Sequence, residues 1–227
     1  MKLRIKFRKY GVMKFIGHLD MMRYFQKVMR RADIDIAYSG GFSPHQIMSF
    51  ASPLGVGLMS NGEYLDIEVH SWTSSDQMLF YMNQVMAEGV EILAVRKLPD
   101  NAKNAMSSVA FADYTIQFRE GYEPSFSLSE ILTEFLLQPQ ILIEKQTKKS
   151  SRQVDLKPLI QKLLLTKDGG VFMRVSAGSV ENIKPELVMD AVYHFAGEER
   201  GEFALEITRE DLYDENGWSL IDVGEEF

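Results

Sequence analysis

The sequence predicts an α+β protein made of two tandem ferredoxin-like (βαββαβ) domains with antiparallel sheets. Two observations lead to this fold class. Strand-like and helix-like segments follow one another in the order strand, helix, strand, strand, helix, strand, and the same order returns after a polar stretch at 98–108. We therefore expect a first domain at residues 1–105 and a second at residues 106–227. The hydrophobic fraction of 45% is ample for a packed core.

The first domain begins with a strand followed by a helix. Residues 3–10 alternate apolar and basic side chains, a pattern typical of a half-buried strand with a cationic outer face. From residue 18 to 33, apolar side chains recur every three or four positions, which predicts an amphipathic helix. Asp20 falls in its first turn, where the helix dipole favours a carboxylate. Another face of this helix is basic and carries Arg23, Lys27, Arg30 and Arg31.

The loop SGGFSPH at residues 39–45 interrupts the next part of the domain, because its glycines and proline favour turns. A later helix has Ser74 or Ser75 as its predicted cap and Gly89 as its stop. The remaining predicted elements are strands at 34–38, 46–50 and 62–69, a helix at 74–89 and a strand at 90–98.

The second domain repeats this order with different residues. Its predicted elements are a strand at 112–118, a helix at 127–137, strands at 140–147 and 171–177, a helix at 184–195 and a strand at 202–208. Residues 155–166 are ambiguous between strand and helix, because their apolar run is short and lacks a cap.

Composition excludes several classes of site. The chain has no cysteine, so it contains no disulfide, thiolate metal site, cysteine nucleophile or iron–sulfur ligand of its own. The four histidines show no pairing at ligand spacing, and we predict no metal site. The first residues do not look like a signal peptide, and no apolar run approaches transmembrane length. We expect a cytoplasmic protein without membrane contact.

Charge is distributed unevenly along the chain. The net charge is -7, yet residues 1–50 hold ten Lys or Arg against three Asp or Glu, whereas residues 106–227 are net acidic. An anionic partner should therefore meet the N-terminal part.

A predicted anion-binding surface combines basic side chains with the SGGFSPH loop. Phosphates bind where cations converge and where glycine lets backbone N–H groups approach, and exposed aromatic rings can stack on bases. The alternative is a solvated helix face beside an ordinary turn. The candidates are Lys14, Arg23, Lys27, Arg30, Arg31, Tyr38, Ser39, Gly40, Gly41 and Phe42, with Lys148, Lys149 and Arg152 as a second cluster that suits either phosphate contact or a solvated hairpin.

Histidines near this surface are weak candidates for catalysis. Histidine is a common general acid or base, so His18 and His45 would suit those roles in RNA chemistry, and Asp20 would form a dyad with His18. The alternative is structural: His18 or Asp20 caps the helix, and His45 lies in a turn.

Several segments together resemble the radical SAM-linked protein family, also named DUF2344. The segments are GHLD at 17–20, RRA at 30–32, YSGGFSPH at 38–45, SFASPL at 49–54, GEYLDIE at 62–68, KQTKKSSRQVDLKPLI at 145–160 and RVSAGSVENIKPELV at 174–188. The resemblance thus covers nearly the whole chain.

This resemblance implies a role in RNA or ribosome-related modification. Members of the family occur beside, or fused behind, radical SAM proteins with a cobalamin-type domain, and often near genes for ribosomal proteins and an RNase. The resemblance also implies that a partner radical SAM protein carries the iron–sulfur cluster and S-adenosylmethionine, and that this chain has no cofactor of its own.

Three hypotheses follow. In the first, the chain is an accessory protein of a radical SAM enzyme that binds RNA, such as tRNA or rRNA, through its basic N-terminal surface and has no stand-alone activity. In the second, it is an RNA-processing or RNA-modifying enzyme that uses His18 and His45. In the third, it is a protein–protein adaptor that does not bind RNA.

Overall fold

The computed structural model describes residues 1–146 and 151–227, which form two compact units. The first unit comprises Met1–Ala110 and Arg209–Phe227, and the second comprises Phe111–Thr208. This division differs from the predicted domains, 1–105 and 106–227, in where it places the C-terminal segment. Residues 209–227 return to the first unit because they bond to its strands; for example, Ser60 Oγ donates to the Arg209 carbonyl at 3.0 Å.

The first unit has the predicted βαββαβ order. Its elements are β1 (Lys2–Lys9), α1 (His18–Arg31), β2 (Met48–Phe50), β3 (Met59–Glu68), α2 (Ser75–Gln84), β4 (Val90–Lys97) and the short α3 (Ala105–Ser108). The strands lie in the order β4-β1-β3, with β2 pairing outside β3, and the pairs β1–β3, β1–β4 and β2–β3 are all antiparallel. This is the ferredoxin-like arrangement, and the α+β fold class is confirmed.

One face of this sheet packs against the two long helices. The inward side chains of β1 are Leu3, Ile5 and Phe7, as the alternation predicted, and they are almost fully buried. Phe25 of α1 contacts Phe7 with ring centroids 4.8 Å apart, and Met78 of α2 belongs to the same core. The predicted cap of α2 is confirmed, because the Ser74 side chain accepts a hydrogen bond from the backbone N–H of Gln77.

The segment at 34–38 does not form a regular strand. It makes only isolated bridges, Ile36 to Val69 and Tyr38 to Gln46. Both bridges are antiparallel, so the segment still lies beside the sheet and leads into the SGGFSPH loop.

The prediction of a cationic outer face on β1 is wrong. Arg4 is completely buried, and its guanidinium donates to Asp66 and to the carbonyls of Lys103 and Leu220. The Lys6 ammonium is 2.8 Å from an Asp211 carboxylate oxygen. Chain from 103–105 and 209–220 covers this side of the sheet, and the charges of Arg4 and Lys6 are neutralised within the unit.

The second unit has the same order with an inserted hairpin. Its elements are β5 (Phe111–Phe118), α4 (Leu128–Leu137), β6 (Leu142–Gln146), β7 (Ser151–Asp155), β8 (Ile160–Leu165), β9 (Val171–Ser176), α5 (Pro185–Phe195) and the start of β10 (Leu205–Tyr213). The strand order is β10-β5-β9-β8, and β6 pairs with β7 in a separate two-stranded sheet. The ambiguous stretch at 155–166 contains the strand β8.

Candidate nucleic-acid interface

Helix α1 presents a basic face to solvent. Its buried residues are Met21, Phe25, Val28 and Met29. At 3.6 residues per turn, the basic residues lie on the side of the helix away from this core, and all four are exposed, as predicted: Arg23, Lys27, Arg30 and Arg31. Arg23 pairs with Asp20 at 3.1 Å, and both side chains remain largely exposed. In residues 1–146 and 151–227, no ion pair is found for the other three, although the exposed Asp33 and Asp35 follow the helix.

The SGGFSPH loop is closed at its base and open at its tip. The Ser39 backbone N–H donates to the His45 carbonyl at 2.9 Å, and the His45 N–H donates to Ser39 Oγ at 3.1 Å. Gly41 has φ +100°, a conformation that strongly favours glycine. Apart from the glycine and its chain neighbours, no heavy atom of the described residues lies within 4 Å of the position that a Cβ would take at Gly40 or Gly41, and the Phe42 ring is fully exposed. The double-glycine tip is therefore accessible to a ligand.

Gln46 connects this loop to helix α1. Its side chain is buried, and Nε2 lies 3.4 Å from both the Gln26 carbonyl of α1 and the Tyr38 hydroxyl, two long hydrogen bonds. The loop and the helix therefore form one surface, which we call the helix–loop surface. It consists of Arg23, Lys27, Arg30, Arg31 and residues 38–45.

The other predicted basic residues lie elsewhere. Lys14 belongs to a single 3₁₀ turn before α1, and its ammonium lies 5.6 Å from the centre of the Phe15 ring. Lys148 and Lys149 lie outside the described residues. Arg152 is in β7 of the second unit, opposite Lys145.

The candidate catalytic residues are on different elements. His18 is the first residue of α1, and its ring lies edge-on to Phe50 with centroids 5.3 Å apart. His45 Nδ1 is 2.8 Å from Ser39 Oγ in the loop. No hydrogen bond or ring contact joins the two histidines in the part of the chain that the structure describes, and Asp20 pairs with Arg23. The predicted cap is wrong, because Gly17 occupies the N-cap position and α1 has no side-chain cap.

A cleft containing Lys9 was missed by the sequence analysis. Lys9 is 2% exposed, and its ammonium donates to the Ile16 carbonyl at 3.0 Å. His18, Ser52 and Glu63 also line the cleft. Burial lowers the pKa of Lys9, although the Glu63 carboxylate acts in the opposite direction. The signal was present in the alternation, since Lys9 occupies the core-facing position that follows Leu3, Ile5 and Phe7.

Residues 1–146 and 151–227 contain neither a metal-binding cluster nor a membrane-spanning helix. No three or more His, Cys, Asp or Glu side chains come together there in a group that could hold a metal ion. None of the helices there has the length and apolar character needed to cross a membrane.

Comparison with known proteins identifies a family match but no curated relative. A family model described as an uncharacterized protein conserved in bacteria, DUF2344, matches residues 2–185. No curated protein matches this chain. Among solved structures, a chain from the crystal structure of a Cbf5–Nop10–Gar1 complex is similar with a TM-score of 0.47 and 8% identity, over 94% of this chain and 50% of that one. This chain thus spans half the length of that neighbour.

Proposed function

We propose that this chain, which belongs to the DUF2344 family, binds RNA through the helix–loop surface as an accessory protein of a radical SAM enzyme. The observation that carries the RNA part is the attachment of an open, aromatic, glycine-bearing loop to a helix with an exposed basic face. Phosphates and bases could contact such a surface at the same time.

Each part of the surface suits a different part of a nucleotide. The α1 cations would neutralise phosphates and release condensed counterions. Tyr38, which is 52% exposed, and the fully exposed Phe42 would stack on bases. The open backbone at Gly40 and Gly41 would let a phosphate approach the loop N–H groups. Stacking needs bases that are not already stacked in a helix, so the proposal favours single-stranded or loop RNA.

The accessory role is supported by the sequence resemblance. The motifs at 17–20, 38–45 and 49–54 are among those that resemble the radical SAM-linked proteins, and 38–45 is the loop of the proposed surface. A chain without cysteine cannot ligate an iron–sulfur cluster through thiolates, so the cluster and S-adenosylmethionine would be held by the partner.

Direct binding measurements test the RNA part of the proposal. Fluorescence anisotropy of the purified chain with a labelled single-stranded RNA, and with the corresponding RNA duplex, should show tighter binding to the single strand. The logarithm of the affinity should fall linearly with the logarithm of the salt concentration. If RNA does not bind, or if binding is independent of salt, the RNA part is wrong.

Co-purification tests the accessory part separately. The tagged chain would be isolated from cells with and without nuclease treatment, and the bound proteins would be identified. We expect a radical SAM protein in the untreated sample. Its retention after nuclease treatment together with no RNA affinity would favour the adaptor hypothesis, and its absence from both samples would contradict the accessory role.

A further inference from the structure

The cleft at Lys9, here named the Lys9 cleft, is a small opening in the first unit. It lies among the end of β1, the start of α1 and the segment 50–54, and its volume is about 20 Å³. That volume admits one water-sized group. Most of its lining is apolar, and its polar side chains are Lys9, His18, Ser52 and Glu63.

The Glu63 carboxylate is engaged by another cation. Arg209 Nε donates to Glu63 Oε1 at 2.7 Å, and Arg209 Nη2 donates to Oε2 and, at 3.0 Å, to the Ser52 carbonyl. Both side chains are almost fully buried. In this bidentate pair, both oxygens of Glu63 accept strong, charge-assisted hydrogen bonds from Arg209. The Lys9 ammonium is therefore a second positive charge beside a carboxylate that is already paired.

Lys9 has spare hydrogen-bonding capacity. An ammonium group has three donors, and within the described residues the acceptor found for this one is the Ile16 carbonyl. A buried ammonium with one neutral acceptor is costly, which agrees with the lowered pKa of this residue. An additional negatively charged acceptor in the cleft would offset that cost.

We propose that the Lys9 cleft binds a carboxylate group, one oxygen of which accepts a hydrogen bond from the Lys9 ammonium. The combined formal charge of Lys9, Arg209 and Glu63 is one positive unit, which suits a monoanion. The cleft has room for a carboxylate oxygen but not for a whole phosphate, and Glu63 would repel a dianion.

Exposed apolar side chains lie close in the chain to the cleft lining. Phe15 and Leu19, at 62% and 67% exposure, adjoin Ile16 and His18. Val56 lies beside Gly17, since its Cγ2 atom would be 3.8 Å from a Cβ added at that glycine. A carboxylate carried on an apolar peptide would therefore gain additional contacts over a free carboxylate ion.

The binding test uses the full chain labelled with ¹³C at the lysine ε carbon. The NMR signal of Lys9 is followed while sodium acetate, sodium chloride or inorganic phosphate is added at constant ionic strength. We expect a saturable shift of the Lys9 signal with acetate and none with chloride or phosphate. If acetate acts no differently from chloride, and the peptide described below also fails to bind, the proposal is overturned.

A peptide pair distinguishes a free carboxylate from one carried by a protein. The probes are acetyl-Leu-Glu-Leu-amide and the matched acetyl-Leu-Gln-Leu-amide. About tenfold tighter binding of the glutamate peptide than of acetate would assign the site to a protein-borne carboxylate, and equal affinity would assign it to a small free acid. Equal binding of the two peptides would contradict the proposal, since the carboxylate would then contribute nothing.

Variants separate binding from folding. Lys9→Met keeps an unbranched side chain only one heavy atom shorter but removes the buried charge, so we expect equal or greater resistance to urea together with loss of acetate binding. Lys2→Met is the matched control, because Lys2 is an exposed lysine of the same strand, and it should retain binding. If Lys9→Met does not fold, the titration of the wild-type Lys9 signal still decides the question. These results are independent of RNA binding, because the helix–loop surface shares no residue with the cleft.

Discussion

Arg4 and Asp66 face each other across β1 and β3 and are joined by two hydrogen bonds, 2.8 Å from Nε and 2.9 Å from Nη2. The second unit has a corresponding pair with acid and base exchanged. There, Asp113 of β5 faces Arg174 of β9, with hydrogen bonds of 2.6 and 2.8 Å. In both units the pair joins the first and third strands of the βαββαβ order. Arg4 and Arg174 therefore have a structural role in their strands.

Removing Asp66 should destabilise the first unit severely. Asp66→Ala leaves the fully buried Arg4 guanidinium without its carboxylate, and we expect a loss of about 3–5 kcal/mol in the free energy of unfolding, measured with urea. The double variant Arg4→Met with Asp66→Leu should regain much of this loss, because no uncompensated charge remains.

The partly exposed pair Arg8–Glu91 is the control for this prediction. Both side chains are 41% exposed, and Glu91→Gln should change the unfolding free energy by no more than about 1 kcal/mol. Equal effects of Asp66→Ala and Glu91→Gln would contradict the assignment of Arg4–Asp66 as a buried structural pair.

Tyr64 should make stability fall at alkaline pH. Its hydroxyl is buried and donates to Asp211 Oδ1 at 2.5 Å. Burial raises the pKa of Tyr64 well above the ordinary value of 10.0, and the Asp211 carboxylate raises it further. Above pH 10.0 the unfolded tyrosine loses its proton while the folded one keeps it, so the native state binds more protons and the unfolding free energy falls as pH rises.

The variant Tyr64→Phe isolates this contribution. Below pH 10.0 it should be less stable than wild type by about 1–2 kcal/mol, because Asp211 loses a donor. Above pH 10.0 the difference should shrink by up to about 1.4 kcal/mol per pH unit. Urea unfolding across this pH range provides the measurement, and a constant difference would show that Tyr64 ionises alike in both states.

The sequence predicted much of the helix–loop surface because its signals are local. Helical periodicity placed Arg23, Lys27, Arg30 and Arg31 opposite the core, and the glycines at 40 and 41 predicted an open turn. The attachment of the loop to helix α1 through Gln46 was not predictable, since it depends on a contact between the Gln46 side chain and the Gln26 backbone of the helix.

The burial and pairing of Arg4 and Lys6 in β1 could not be predicted from local sequence patterns. Alternation with a period of two tells which residues share a face of a strand, but it does not tell what covers that face. The cover of Arg4 and Lys6 comes partly from residues more than 200 positions away, Leu220 and Asp211. Local patterns likewise do not show that residues 209–227 belong to the first unit, because that depends on contacts with distant parts of the chain.

Phe42 should contribute to RNA binding without contributing to stability. Its ring is fully exposed, so Phe42→Ala should leave the urea midpoint unchanged. Loss of one base–aromatic stack should weaken single-stranded RNA binding by about 1–3 kcal/mol, measured by anisotropy. Phe203→Ala removes an exposed ring of the second unit and is the matched control. If both variants bind RNA like wild type, Phe42 does not stack on bases.

The most direct test of the central claim is a comparison of two charge-reversal variants in RNA binding across a series of salt concentrations. The first variant, Arg23→Glu with Arg30→Glu, changes the basic face of α1. The second, Lys162→Glu with Lys167→Glu, makes the same change in net charge at exposed lysines of the second unit. Circular dichroism and urea unfolding would establish that both variants are folded.

The account predicts that the first variant binds RNA at least about tenfold more weakly and that its salt slope decreases by about two, while the second variant stays close to wild type. Equal affinities and equal salt slopes for the two variants would contradict it, because binding would then depend on net charge and not on the helix–loop surface.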